Sequence, residues 1–304
     1  MSEPKHISDG DSPSDFFVLP RGAPDGEDKQ PEETRGSFGE RVDSFVRGVG
    51  RKMATAFPQL EGPLSVCRGL YADAYVRSVC TKYNATHVAP IDPFRILHVD
   101  PDRISMVAEP TGLSRFRWAG LVADGEWDKS RVRFTESDVY HAFRARFLDG
   151  TPWEDTEFFQ RVVGEIADGA EPWGCDSRAA FELRCRRLDD LYESIRESGF
   201  RTQRELAESD SHDPLENSRG TATARILNDE VAVDIGRDGE LLYSDGRNRL
   251  AIAKVLDVET IPVIVLRRHT QWSVLRDAIV TYVERTGNMS VPYCDHPDIE
   301  PYIK

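Results

Sequence analysis

Asp245-Gly246-Arg247-Asn248-Arg249 is the run whose residue types could do chemistry. It stands between an apolar stretch, Leu241-Leu242-Tyr243, and a compact helix-forming one, Leu250 to Leu256. That order places the run where a strand ends and a helix begins. Backbone N–H groups lack partners there, and the positive end of the helix dipole points outward. Gly246 lets the backbone approach a ligand closely, and Arg247 and Arg249 carry planar forks that match phosphate oxygens. The combination predicts an anion site, most economically one for a nucleotide phosphate. Asp245 has two readings: N-cap of the helix, or a carboxylate placed to hold a metal or take a proton. The plain alternative for the whole run is an Asp-Gly turn with solvated arginines.

The elements that must position this run are legible around it. Val231 to Ile235 reads as a strand, Gly236-Arg237-Asp238-Gly239 as a hairpin turn, and Leu241 to Tyr243 as the return strand. Ile261-Pro262-Val263-Ile264-Val265-Leu266 is almost wholly apolar, as in a strand buried on both faces. Earlier, Arg95 to Val99 reads as a strand followed by an Asp100-Pro101-Asp102 turn. Phe116 to Val122 and Val132 to Phe134 suggest a β-ribbon joined through Asp124-Gly125.

The helices carry their own punctuation. Ser137 to Leu148 stops at Gly150. Thr151-Pro152-Trp153-Glu154 has the form of a capping box opening another helix, and Ser177 to Ser198 is closed by Gly199. Trp272 to Arg285 is the last helix.

The stretch from Leu241 to Leu256, followed by Ile261-Pro262-Val263-Ile264-Val265, resembles the signature of the ParB/sulfiredoxin superfamily. That signature is a strand, a D/G-G-x-x-R phosphate loop, a short Ala-rich helix and an I-P-V strand. The likeness is clear over about residues 231–268 and weaker over 95–105 and 186–203, where Leu188 to Gly199 is similar to the family's first helix. It implies an α+β fold, a ParB/sulfiredoxin-like small mixed sheet with helices, over about 91–270. A large helical insertion would occupy about 110–176, and a mobile loop about 207–222. It also implies that Gly246, Arg247, Asn248 and Arg249 hold nucleotide phosphates, with a nucleoside triphosphate and Mg²⁺ as cofactors. Asp234, Asp238, Glu240 and Asp245 are the carboxylates available to such an ion.

Two departures from the family narrow the expectation. Sulfiredoxins place a reactive Cys followed by His in this loop, where this chain has Arg247 and Asn248, so repair of an oxidised cysteine is excluded. Partition proteins follow the domain with a multi-helix DNA-binding module, whereas 38 residues follow Leu266 here.

Outside this core, residues 1–37 are rich in Ser, Pro, Asp, Gly and Glu and read as a disordered acidic leader. Residues 38–90 are helical in pattern and interleaved with Arg41, Arg47, Arg51, Lys52, Arg68 and Arg77. Such a face lies on an anionic surface or is simply solvated beside acidic neighbours. Residues 271–304 form the C-terminal helix and tail.

Composition closes several classes. Fifty-three acidic residues against 39 basic ones leave a net charge of −14, and only seven of the basic residues are lysines. An acidic, Asp-rich, Lys-poor surface suits concentrated salt, where hydrated carboxylates keep a protein soluble; a generally acidic chain gives the same sum. A globally basic nucleic-acid binder is excluded, though a local basic groove is not. No stretch approaches 18 apolar residues, and no apolar leader segment follows Met1, so a cytoplasmic protein is expected. Five cysteines with no C-x-x-C pair read as reduced thiols. His98, and Cys294 with His296, supply too few ligands for a metal site.

Three functional readings follow. The first is a nucleotide hydrolase, kinase or switch working at the loop 245–249. The second is a DNA-associated module gripping backbone phosphate with the same arginines. The third is a degenerate domain that scaffolds partners.

Overall fold

The computed structural model describes residues 61–111, 115–209, 214–215 and 222–304. The expected leader, 1–37, and residues 38–60 of the expected helical region lie outside them. The elements are α1 (Glu61–Asn84), β1 (Ile96–Val99), β2 (Met106–Val107), α2 (Arg115–Trp118), β3 (Leu121–Ala123), α3 (Asp138–Phe147), α4 (Glu157–Ala167) and α5 (Arg178–Ser198). There follow α6 (Gln203–Glu208), α7 (Ala222–Asp229), β4 (Val231–Ile235), β5 (Leu241–Asp245), α8 (Arg247–Val255), β6 (Ile261–His269) and α9 (Thr270–Thr286).

The strands form one mixed six-stranded sheet in the order β1-β6-β4-β5-β2. β4 and β6 run parallel at its centre and are buried along their whole lengths. β4 and β5 form the expected hairpin, and the chain then crosses through α8 to reach β6. β1 pairs antiparallel with the first half of β6, and β3 pairs parallel with its last three residues.

Side chains alternate across the sheet as a period of two demands. Val231, Val233, Ile235, Leu241, Tyr243, Ile261, Val263 and Val265 share one core with α3, α4, α5, α8 and α9. Ala232, Ile264 and Leu266 meet Val76, Trp118, Ile226 and Leu227 of α1, α2 and α7 on the other face. The architecture is mixed α+β, as expected. Among the described residues no helix is long and apolar enough to cross a membrane.

Helix ends follow the punctuation in the sequence. The Ser137 and Ser177 hydroxyls accept from Tyr140 and Ala180 N–H (both 3.3 Å), capping α3 and α5, and α5 stops at Gly199 with φ +77°.

Four local expectations are corrected. The helix expected from Thr151 is a single 3₁₀ turn over Trp153–Asp155. α4 starts after it, and Thr156 is the residue that caps it, accepting from Phe159 N–H at 3.2 Å. Trp153 is pulled inward against Phe143 and Phe147, and its indole N–H donates to Asp189 (2.9 Å), which fixes the turn. The ribbon expected over 116–134 does not form: residues 115–118 are helical so that Trp118 packs under Ile264 and Leu266, and Arg133 makes one bridge to Met106. The segment 110–176 is accordingly not all helical, since it adds β3 to the sheet. Within the expected loop 207–222, α6 runs on to Glu208 and α7 begins at Ala222; residues 210–213 and 216–221 lie outside the described residues.

Candidate functional site

The run stands where the sequence places it, at the junction of β5 and α8, and its residues take distinct roles. Gly246, not Asp245, occupies the N-cap of α8, at φ +91° and ψ +34°, and makes no side-chain capping bond. A Cβ there would lie 2.8 Å from Val231 Cα, so glycine is required by the close approach of β4. The cap reading of Asp245 is thereby corrected. Its carboxylate accepts from Gly246 N–H and from Arg115 Nε, both at 2.7 Å. Burial pushes the Asp245 carboxyl up, but the adjoining Arg115 guanidinium outweighs it and holds the group below its usual range. Arg115 also donates to the carbonyls of Glu230 (2.8 Å) and Leu227 (3.2 Å), tying α2, the end of α7 and the loop together.

Arg247 and Arg249 both lie in α8. Residues two apart on a helix face different sides, so the two guanidiniums diverge. Arg247 Cζ sits 4.8 Å from the centroid of Trp173. Arg249 is buried and its Cζ lies 5.5 Å from the Phe200 ring. Asn248, between them, has a buried side-chain oxygen with no hydrogen-bond partner.

Three residues near the loop were not singled out in the sequence. Trp173 holds φ +61° and ψ +20°, a conformation that costs a bulky residue on the order of 1–3 kcal/mol. Arg184 of α5 places Cζ 5.4 Å from the same ring. Glu230, fully buried, accepts from Gln203 N–H at 2.5 Å through one oxygen, while the other has no partner. Burial pushes the Glu230 carboxyl up to about 7 against the opposing pull of the Gln203 N–H, Arg249 and Arg115. The sequence signal was a Pro-Trp-Gly turn for Trp173. For Arg184 and Glu230 no local signal separates them from their many charged neighbours.

The carboxylates expected to serve Mg²⁺ do not assemble. Asp234 is fully buried and accepts from Arg267 at Oδ1 through the backbone N–H (3.1 Å) and at Oδ2 through the guanidinium (3.0 and 2.6 Å). Glu240 folds back to accept from Asp238 N–H, and Asp245 is bridged to Arg115. Among the described residues no group of three or more His, Cys, Asp or Glu could hold a metal ion. Asp234, Glu240 and Asp245 are thus each committed to protein donors rather than gathered on one ion.

His98 is exposed on β1. His296 shares a 2.8 Å hydrogen bond with Gly239 C=O and accepts from Asp298 N–H, a structural role. All five cysteines are free, and Cys80, Cys175 and Cys185 are buried.

No family model, no curated protein and no solved structure matches the chain.

Proposed function

We propose that this protein binds a nucleotide by its phosphate at the loop 245–249, within a ParB/sulfiredoxin-like domain. The observation that carries the reading is the start of α8, capped by a glycine that offers its first-turn N–H groups no side-chain acceptor. An anion is the natural partner of such a helix end. Arg247 adds a guanidinium at the first helical position, and the unpartnered Asn248 oxygen suits a hydroxyl or amino donor, which a nucleotide carries and a bare phosphate ion does not. Asp245, held ionised by Arg115, is a weak base. This favours a binding or switch role over hydrolysis or phosphoryl transfer.

A thermal-shift panel of nucleoside mono-, di- and triphosphates in high salt tests the reading. A ligand at 100 times its dissociation constant should add about 2.7 kcal/mol of stability. Arg247→Met should weaken that ligand about tenfold or more, since a charge-assisted hydrogen bond contributes about 1.5–3 kcal/mol. Failure of every nucleotide to stabilise the wild-type chain would sink the proposal.

A further inference from the structure

We propose that Arg184 and Arg187 of α5, together with Arg247, form a cationic subsite around Trp173 that takes the far end of a polyanionic ligand whose near phosphate lies at the start of α8. The inference rests on the loop reading above and extends it to residues from two other elements.

The first observation is geometric. The guanidinium carbons of Arg184 and Arg247 lie 5.4 and 4.8 Å from one indole centroid, which brings a side chain of α5 and one of α8 onto the same ring. Arg187 is three residues beyond Arg184, one helical turn along the same side of α5. The second is an unmet donor: Arg184 Nε is buried and has no hydrogen-bond partner. The third is electrostatic. Burial holds the Arg184 guanidinium below its usual range; Arg247 and Arg187 add to that, and the opposing groups are the thiols of Cys175 and Cys185 rather than carboxylates.

Several other partly or fully buried arginines sit on acids. Arg146 meets Asp189 at 2.9 Å, Arg161 meets Asp138 at 2.8 Å, Arg237 meets Asp128 at 2.7 Å and Arg267 meets Asp234 at 2.6 Å. An oxyanion beside the ring would satisfy the buried Nε of Arg184. Forked donors on a ring platform suit oxyanions with several oxygens. The ligand class is therefore a chain of phosphates, either inorganic or the tail of a nucleotide.

The test is calorimetric titration of the full chain with orthophosphate, inorganic tripolyphosphate, a nucleoside monophosphate and the matching triphosphate. Wild type should bind tripolyphosphate at least tenfold more tightly than orthophosphate, and the nucleoside triphosphate more tightly than the monophosphate by a similar factor. Arg184→Met keeps the aliphatic stem against Trp173 and removes the fork. It should erase most of that difference, about tenfold, while leaving orthophosphate affinity unchanged. Arg187→Met, at an exposed position, should cause a several-fold loss in the same direction and guards against a folding defect in the first variant. Equal tripolyphosphate affinity in wild type and both variants overturns the subsite. Tight orthophosphate and monophosphate binding with no gain from further phosphates overturns the subsite and leaves the loop reading intact. Absence of binding by all four probes overturns both.

Discussion

Asp298 accepts from Arg268 (2.9 and 2.6 Å) and from the Trp272 indole N–H (3.0 Å), and lies 3.3 Å from Arg276 Nε, all in a buried setting. Asp298→Ala leaves two guanidiniums buried without their carboxylate. It should lower stability by about 3–5 kcal/mol, read as a drop in urea midpoint at unchanged slope. Gly246→Ala forces a Cβ toward the Val231 backbone at a positive φ and should cost on the order of 1–3 kcal/mol by the same measurement. A variant as stable as wild type would show that the β4–α8 approach relaxes freely. The roles of these two residues were unevenly legible. Asp-Gly before a helix pattern flags Gly246 as special, but its reason, the backbone of Val231, belongs to a strand fifteen positions earlier. Asp298 reads as one acid among 53.

At the level of elements, local punctuation was the reliable signal. Ser137, Ser177 and Gly199 mark true helix ends because capping is a contact between near neighbours in sequence. The unit β4–β5–α8–β6 was legible for the same reason, its turn and apolar runs being contiguous. Thr151-Pro152-Trp153-Glu154 misled because burying Trp153 against α3 outweighed a good capping signature. Thr156, the working cap of α4, should cost about 1 kcal/mol on change to alanine, whereas Thr151→Ala should be near neutral. Equal losses in thermal melts would contradict the assignment. Part of β3 fell within the strand expected over Phe116 to Val122, but its partner was misassigned because the end of β6 lies well over a hundred residues downstream. The grip of Arg115 on Asp245 spans 130 positions, and no periodicity encodes it.

For the whole molecule, two sets of groups give stability a pH optimum. Asp298 and Asp128 each titrate at about 2 when folded. Burial opposes the shift in both; Arg268 and Arg276 overcome it for Asp298, and Arg237 for Asp128. Their contribution is present above the ordinary carboxylate value and is lost as pH falls from about 4 to 2. Glu230 works in the opposite sense. Its folded value near 7 exceeds the ordinary 4.5, so the unfolded chain releases its proton first and stability declines as pH rises from about 4.5 to 7. Glu230→Gln should flatten that decline and gain up to about 3 kcal/mol above pH 7, measured by urea unfolding across pH. An unchanged profile would refute the assignment. Salt acts on the surface instead: raising it from 0.1 to 1 M shortens the screening length from about 10 to about 3 Å and should raise Tm by damping repulsion within a net charge of −14. The Asp298 cluster also has a consequence in time. Arg268 is made thirty residues before its carboxylate partner. During synthesis the sheet can pair its strands, yet the cations beneath it stay uncompensated until that late segment has emerged. Closure of this core therefore has to wait until Asp298 has been made.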